Sequence, residues 1–137
     1  MTVLDAYAII ALLRGEPGAA AVERLFGRPD DLPAISAANV AAVVDVLVRH
    51  HRRAYADVVE RLDWLTVGGL DVLPVTDEIA RRAGALHAGH YHRTRSPLSL
   101  ADCVCLATAM DRDESLATAD GPLLEAARAE GCPTVAL

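Results

Sequence analysis

The sequence predicts one α/β domain over residues 1–137, a mainly parallel central sheet with helices on both faces. Short apolar runs bounded by turn residues alternate with stretches of helical periodicity along the whole chain. The apolar mass points the same way: 53% of residues are hydrophobic but only 4% aromatic, so the core is built of Ala, Val and Leu, which pack helices closely on a sheet. A length of 137 residues suits one such domain and buries a real core.

Thr2-Val3-Leu4 reads as the first strand, ended by Asp5, and Ala6 to Leu13 as a helix closed by the Gly15-Glu16-Pro17-Gly18 turn. Pro17 is expected at the first position of a second helix running to about Phe26, with a break over Arg28 to Pro33. Ala34-Ile35 is a short strand, and Ser36 an N-cap. Val40, Val43, Val44 and Leu47 then mark an amphipathic helix from Asn39 to His51. Ala54 to Val67 is helical through Val58, Leu62 and Leu65 and ends at Gly68-Gly69. Asp71 to Val75 is a strand, and Thr76 caps the next helix, whose first turn holds Asp77 and Glu78. Arg93 to Pro97 is a loop. Ser99 caps an apolar helix from Leu100 to about Met110, Ser115 to Thr118 is a strand, Leu123 to Ala129 a helix, and Thr134 to Ala136 the last strand.

Charge and composition exclude several functions. A net charge of −6 argues against broad, nonspecific nucleic-acid binding but leaves room for a local basic rim. All 13 basic residues are arginine, so a lysine-bearing P-loop, a Schiff-base enzyme and a lysine-dependent phosphoryl-accepting domain are all disfavoured. The longest uncharged stretch, Leu32 to Val44, is too short to span a bilayer. With Asp5 interrupting the N-terminal apolar run, the expectation is a cytoplasmic protein without a membrane segment. The odd set Cys103, Cys105 and Cys132 argues against a disulfide framework and reads as small core residues.

The acidic residues carry the chemistry. Asp5 and Asp120 each follow a predicted strand, and in a parallel sheet the carboxyl ends of strands border the binding crevice. Asp102 lies in the first turn of a nearly all-apolar helix, whose N-terminus can face the same crevice. Two carboxylates about 5 Å apart repel by about 3 kcal/mol at an effective dielectric of 20, so three sharing one site call for protons or a cation. Mg2+ or Mn2+, with oxygen ligands and retained waters, is the natural occupant. Taken one at a time, Asp5 and Asp120 also read as turn residues and Asp102 as a partner of the helix dipole.

Arginines and histidines form two further groups. Arg49-His50-His51-Arg52-Arg53 ends the helix from Asn39 and reads first as helix-end capping. Arg93 and Arg95, in the loop before the Asp102 helix, are better candidates for a substrate rim that contacts a phosphate backbone. His87, His90 and His92 do not share one helical face, which argues against a metal site. Tyr7, beside Asp5, is a possible stacking platform.

With these residues in place, the chain resembles PIN-domain ribonucleases, and most closely VapC-type toxins of bacterial toxin-antitoxin operons. The resemblance runs in order through Val3-Leu4-Asp5-Ala6-Tyr7-Ala8, the Gly15 to Gly18 turn, Ser36 to Val43, Leu98-Ser99-Leu100-Ala101-Asp102 and Thr118-Ala119-Asp120. It implies a PIN-like three-layer sandwich that hydrolyses RNA, usually transfer or ribosomal RNA, with Mg2+ or Mn2+. It implies Asp5 and Asp102 as primary metal ligands, Asp120 assisting, and Asn39 and Thr118 as hydrogen-bonding supports. A homodimer and a cognate VapB-type antitoxin are implied as well. The chain departs from the pattern at Ala42, where the family carries a glutamate. That departure implies an attenuated or inactive enzyme, whether by natural divergence or by deliberate substitution, with Asp45 one helical turn later as a candidate replacement. A non-catalytic module that binds RNA or antitoxin is the alternative.

Overall fold

The computed structural model describes residues 1–28 and 30–137; of the break expected over residues 28–33, Pro29 lies outside the described residues. In chain order the elements are β1 (Thr2–Leu4), α1 (Ala6–Arg14), α2 (Ala19–Phe26), β2 (Pro33–Ser36), α3 (Ala37–Asp45), α4 (Tyr55–Val67), β3 (Asp71–Leu73), α5 (Asp77–His90), α6 (Leu100–Arg112), β4 (Ser115–Thr118), α7 (Gly121–Ala129) and β5 (Thr134–Ala136). Every strand pairing is parallel, and the sheet order is β3-β2-β1-β4-β5. The chain builds outward from β1 in one direction through β2 and β3. It then returns to the other side of β1 for β4 and β5, leaving a topological switch point between β1 and β4.

Pleating divides the core into two layers. Val3 and Leu116 point to one face and pack with Leu86, Cys103, Leu106 and Leu123 of α5, α6 and α7. Leu4, Ile35 and Ala117 point to the other face and pack with Ile9, Val22, Val43 and Val58 of α1 to α4. The register places Leu4 opposite both Ile35 and Ala117, so side chains of one face line up across the central strands. Each fully buried Leu or Ile contributes roughly 1.5–3 kcal/mol. Together these layers are the three-layer arrangement expected from the sequence. Cys103, Cys105 and Cys132 are buried and free. Among the described residues, no helix is long and apolar enough to cross a membrane.

Caps account for most helix starts. Ser36 accepts from the Asn39 N–H, Thr76 from Ile79 and Ser99 from Asp102. Several boundaries differ from expectation. Pro17 does not begin α2, because Gly18 takes a left-handed conformation at φ +99° and serves as N-cap, leaving Pro17 in the turn. The helix expected to run to His51 starts two residues early and becomes a π-helical turn over Val46–His50, closed by the His51 N–H on the Val46 carbonyl. Its β-branched run of Val43, Val44, Val46 and Val48 crowds a regular helix, and apolar periodicity does not distinguish the two forms. The third strand stops at Leu73, and α6 runs on to Arg112. Helix α7 begins at Gly121, with Pro122 in its first turn, where no amide hydrogen is needed.

Candidate active site

Asp5 directly follows β1, Thr118 ends β4, and the register of this pair brings them together at the switch point. The Asp5 N–H donates to the Ala117 carbonyl at 3.3 Å, continuing the ladder one step past the strand. The Asp5 side chain then caps α1, Oδ1 accepting from the Ala8 N–H at 2.8 Å. Its Oδ2 accepts from the Thr118 hydroxyl, and Thr118 Oγ1 in turn accepts from the Asp120 N–H at 2.9 Å. One hydroxyl thus ties the first aspartate to the loop carrying the third.

Asp102 enters from α6 in a capping box. Its Oδ2 accepts from the Ser99 N–H at 2.7 Å and from the Ser99 hydroxyl at 2.8 Å, and the Asp102 N–H returns to Ser99 Oγ at 3.1 Å. This bonding fixes the rotamer through one oxygen. Asp5, Asp102 and Asp120 line a single cleft of about 470 Å³ with Tyr7 and Ala119. The Tyr7 hydroxyl donates to the Pro17 carbonyl at 3.3 Å, which anchors the ring at the mouth.

The electrostatics show that the three carboxylates act on one another. Asp5 is 2% exposed, and its pKa is pushed up from 3.8 to about 6. Burial is the main cause. The charges of Asp102 and Asp120 add to it, against the hydrogen bonds from Thr118 and Ala8 that favour the carboxylate. Asp120 is raised too, by burial and then by Asp102. Beneath them the Cys105 thiol, fully buried and donating to the Leu4 carbonyl at 3.4 Å, is held neutral by burial and by the charges of Asp5 and Asp102.

Hard oxygen donors whose like charges raise the proton affinity of Asp5 and Asp120 suit a hard divalent cation, which relieves the repulsion that protons otherwise relieve. Among the described residues, no three His, Cys, Asp or Glu side chains are gathered closely enough to ligate one ion as they stand. The set therefore fits a cation held by one or two carboxylates with water completing its shell, the usual manner of Mg2+.

The remaining candidates are not among the residues that line this cleft. Asn39 is fully buried, its Oδ1 accepting from the Ser36 hydroxyl, and its Nδ2 has no partner. Ala42 is half-buried one turn further along α3, outside the cleft lining. Asp45, the next acidic residue along the chain, is exposed, is not among the cleft-lining residues, and is engaged by Arg49 Nη2 at 2.6 Å and Nε at 3.0 Å. Arg93 and Arg95 stand exposed on the turn before α6, outside the cleft lining. The histidines do not converge. His87 stacks on Tyr91, with ring centroids 4.8 Å apart, and His90 meets Glu130 at 2.6 Å. His92 accepts backbone hydrogen bonds from its own turn, a role that no local signal in the sequence announces.

The fold and cleft together define a three-layer α/β domain with a cluster of acidic residues at the switch point of an all-parallel sheet. More narrowly, residues 2–129 match the family model of the PIN domain, and the chain belongs to that family. Solved structures share its fold. The sarcin-ricin-loop-cleaving toxin VapC20 of Mycobacterium tuberculosis is 16% identical, with a TM-score of 0.71 over 92% of this chain and 95% of that one. VapBC-1 of nontypeable Haemophilus influenzae is 20% identical, with a TM-score of 0.71 over 98% and 96%. FitAcB of Neisseria gonorrhoeae is 22% identical, with a TM-score of 0.68 over 98% and 96%. No curated protein matches the chain.

Proposed function

We propose that this chain is a VapC-type toxin: a cytoplasmic endoribonuclease fold that uses Mg2+ or Mn2+ to hydrolyse RNA, is neutralised by a VapB-type antitoxin, and is attenuated by Ala42. The observation that carries the reading is the convergence of Asp5, Asp102 and Asp120 on one cleft at the switch point. Asp5 and Asp102 would hold the metal and Asp120 would assist. When bound, the cation supplies charge neutralisation at the scissile phosphate and an acidified water. The protein's part is to aim the donors. Thr118 and the Ala8 N–H fix both oxygens of Asp5, while Ser99 fixes one oxygen of Asp102 and leaves the other without a partner among the described residues. Tyr7 offers a stacking face for a base at the cleft mouth, and Arg93 and Arg95 offer contacts to the backbone.

A homodimer and an antitoxin complete the proposal. The groove between the end of α1, the π-helical turn and α4 joins apolar Leu13, Leu47 and Val58 to Arg14, Arg53, Arg61 and the exposed Trp64. It offers an amphipathic antitoxin segment both apolar and cationic contacts. One observation favours a second reading, a module that holds RNA or antitoxin without cutting: the fourth carboxylate is absent at Ala42, and Asp45 is engaged elsewhere.

The test is cleavage of total cellular RNA with Mg2+ or Mn2+ by this chain beside its Ala42→Glu variant, both free of antitoxin. Cutting by the glutamate variant alone is expected. Failure of both with either metal, while RNA is still retained, selects the binding module.

A further inference from the structure

We propose that His92 is a positioning residue for RNA, holding the turn that presents Arg93 and Arg95 to the phosphate backbone. The inference rests on the ribonuclease reading and names the device that grips the substrate. Between the end of α5 and the start of α6 the chain folds back on itself. The His92 N–H donates to the Ser96 carbonyl at 2.9 Å and the Ser96 N–H to the His92 carbonyl at 3.0 Å. The tip, Arg93-Thr94-Arg95, is exposed and has no strand or helix to satisfy its amides. The imidazole does so instead. His92 Nδ1 accepts from the Thr94 N–H at 3.3 Å and from the Arg95 N–H at 3.2 Å, with Thr94 Oγ1 also at 3.3 Å. An acceptor at Nδ1 places the ring proton on Nε2.

This arrangement turns the tip amides inward and leaves two guanidinium groups as its cationic features. Arg93 and Arg95 have no ion pair among the described residues, unlike Arg14, Arg28, Arg49 and Arg81; other arginines share that freedom, and what sets these two apart is the hydrogen-bonded turn that carries them. They are free for phosphates, which the guanidinium fork matches well. The turn is also tethered to the cleft. The Ser96 carbonyl accepts a second hydrogen bond, from the Leu98 N–H at 2.8 Å, and Leu98 is buried. Ser99, bonded to Asp102, follows directly. Three residues of chain keep Ser96 within about 11 Å of Ser99. The arginines are thus carried by a short, hydrogen-bonded strap from the helix that supplies a cleft carboxylate.

The test is fluorescence anisotropy of a labelled single-stranded RNA 20-mer in metal-free buffer, where binding is read without cleavage. The double variant Arg93→Ala/Arg95→Ala is expected to bind about tenfold more weakly and to flatten the dependence of log affinity on log salt by about 1.4, or 0.7 per lost phosphate contact on single strands. His92→Ala is expected to weaken binding about fivefold with an unchanged melting temperature, and to add nothing when combined with the double arginine change. His92→Asn, whose Oδ1 supplies an acceptor near the position of Nδ1, should restore affinity to within about twofold. Wild-type affinity in His92→Ala beside weakened arginine variants overturns the role of His92 while sparing the ribonuclease reading. A loss that asparagine does not repair, or that follows a lowered melting temperature, overturns it as well. No RNA binding by the unaltered chain removes both readings.

Discussion

Replacing Asp5 by Asn is expected to make the metal-free protein more stable at pH 8, although the residue is buried and hydrogen-bonded. In the fold the Asp5 carboxyl titrates at about 6 against an ordinary 3.8. A raised pKa means that the fold favours the protonated form. The associated stability is complete below about pH 4 and is lost as pH rises through 6, so at pH 8 the native state carries a buried carboxylate at a cost of about 3 kcal/mol. Because Asp5 is 2% exposed, solvent screening takes little from that figure. Asparagine has the same shape and keeps an oxygen for the Ala8 N–H. Its amide donates to Thr118 Oγ1 instead of accepting from it, which leaves the hydroxyl hydrogen without its buried acceptor at a cost of about 1 kcal/mol. The net gain is about 2 kcal/mol, or about 8 °C in melting temperature for a domain of this length. Thermal melts of both proteins in chelator at pH 8 and pH 4 measure it. The asparagine variant should lead at pH 8 and fall slightly behind at pH 4. An equal or lower melting temperature at pH 8, or a lead that persists undiminished at pH 4, refutes the account of a desolvated carboxylate among like charges.

Other perturbations separate the parts of the site. Thr118→Val removes the hydroxyl that donates to Asp5 and accepts from Asp120, so stability at pH 8 should drop by about 1–3 kcal/mol by denaturant titration; the Asp5 pKa, followed by carboxyl NMR, should rise further. Ser99→Ala dissolves the capping box and should lower stability by about 1 kcal/mol in urea, a loss expected to persist when Asp102 is already Asn. Trp64, the only tryptophan, is 68% exposed, so its emission should shift to shorter wavelength when a VapB-type peptide covers the groove beside it. An unchanged spectrum in a saturated complex argues against that groove as the docking surface. Leu116→Ala, in the layer under α5 to α7, should cost about 2–5 kcal/mol by the same denaturant assay.

Much of the fold was legible because the relevant signals are local. Ser36, Thr76 and Ser99 announce helix starts through their own side chains, and Leu4, Ile35 and Ala117 alternate with the pleat wherever they pair. The failures came where a backbone choice outweighed a side-chain rule. Gly18, in a left-handed conformation, displaced Pro17 from the head of α2, and a run of valines widened the end of α3 into a π-helical turn without altering its apolar spacing. At the site, placing Asp5 and Asp120 after strands was enough to gather them, because a parallel sheet sends all its carboxyl ends to one edge. The engagement of Asp45 by Arg49 and the inward acceptor of His92 depend on rotamers, which spacing does not encode.

The bond from Thr118 to Asp5 joins residues 113 positions apart. Strand β1 leaves the ribosome before the other strands of the sheet yet lies at its centre, and its neighbour β4 follows it in the chain only after β2 and β3. Until β4 docks, Asp5 has its own helix to cap but no hydroxyl partner, and the cleft lacks the loop bearing Asp120. Long-range parallel pairing of this kind is slow to form. A polypeptide arrested before residue 115 cannot assemble this cleft, however well its first helices fold. The order of synthesis therefore acts as a safeguard, withholding the complete acidic centre until β4 and the loop after it have been made.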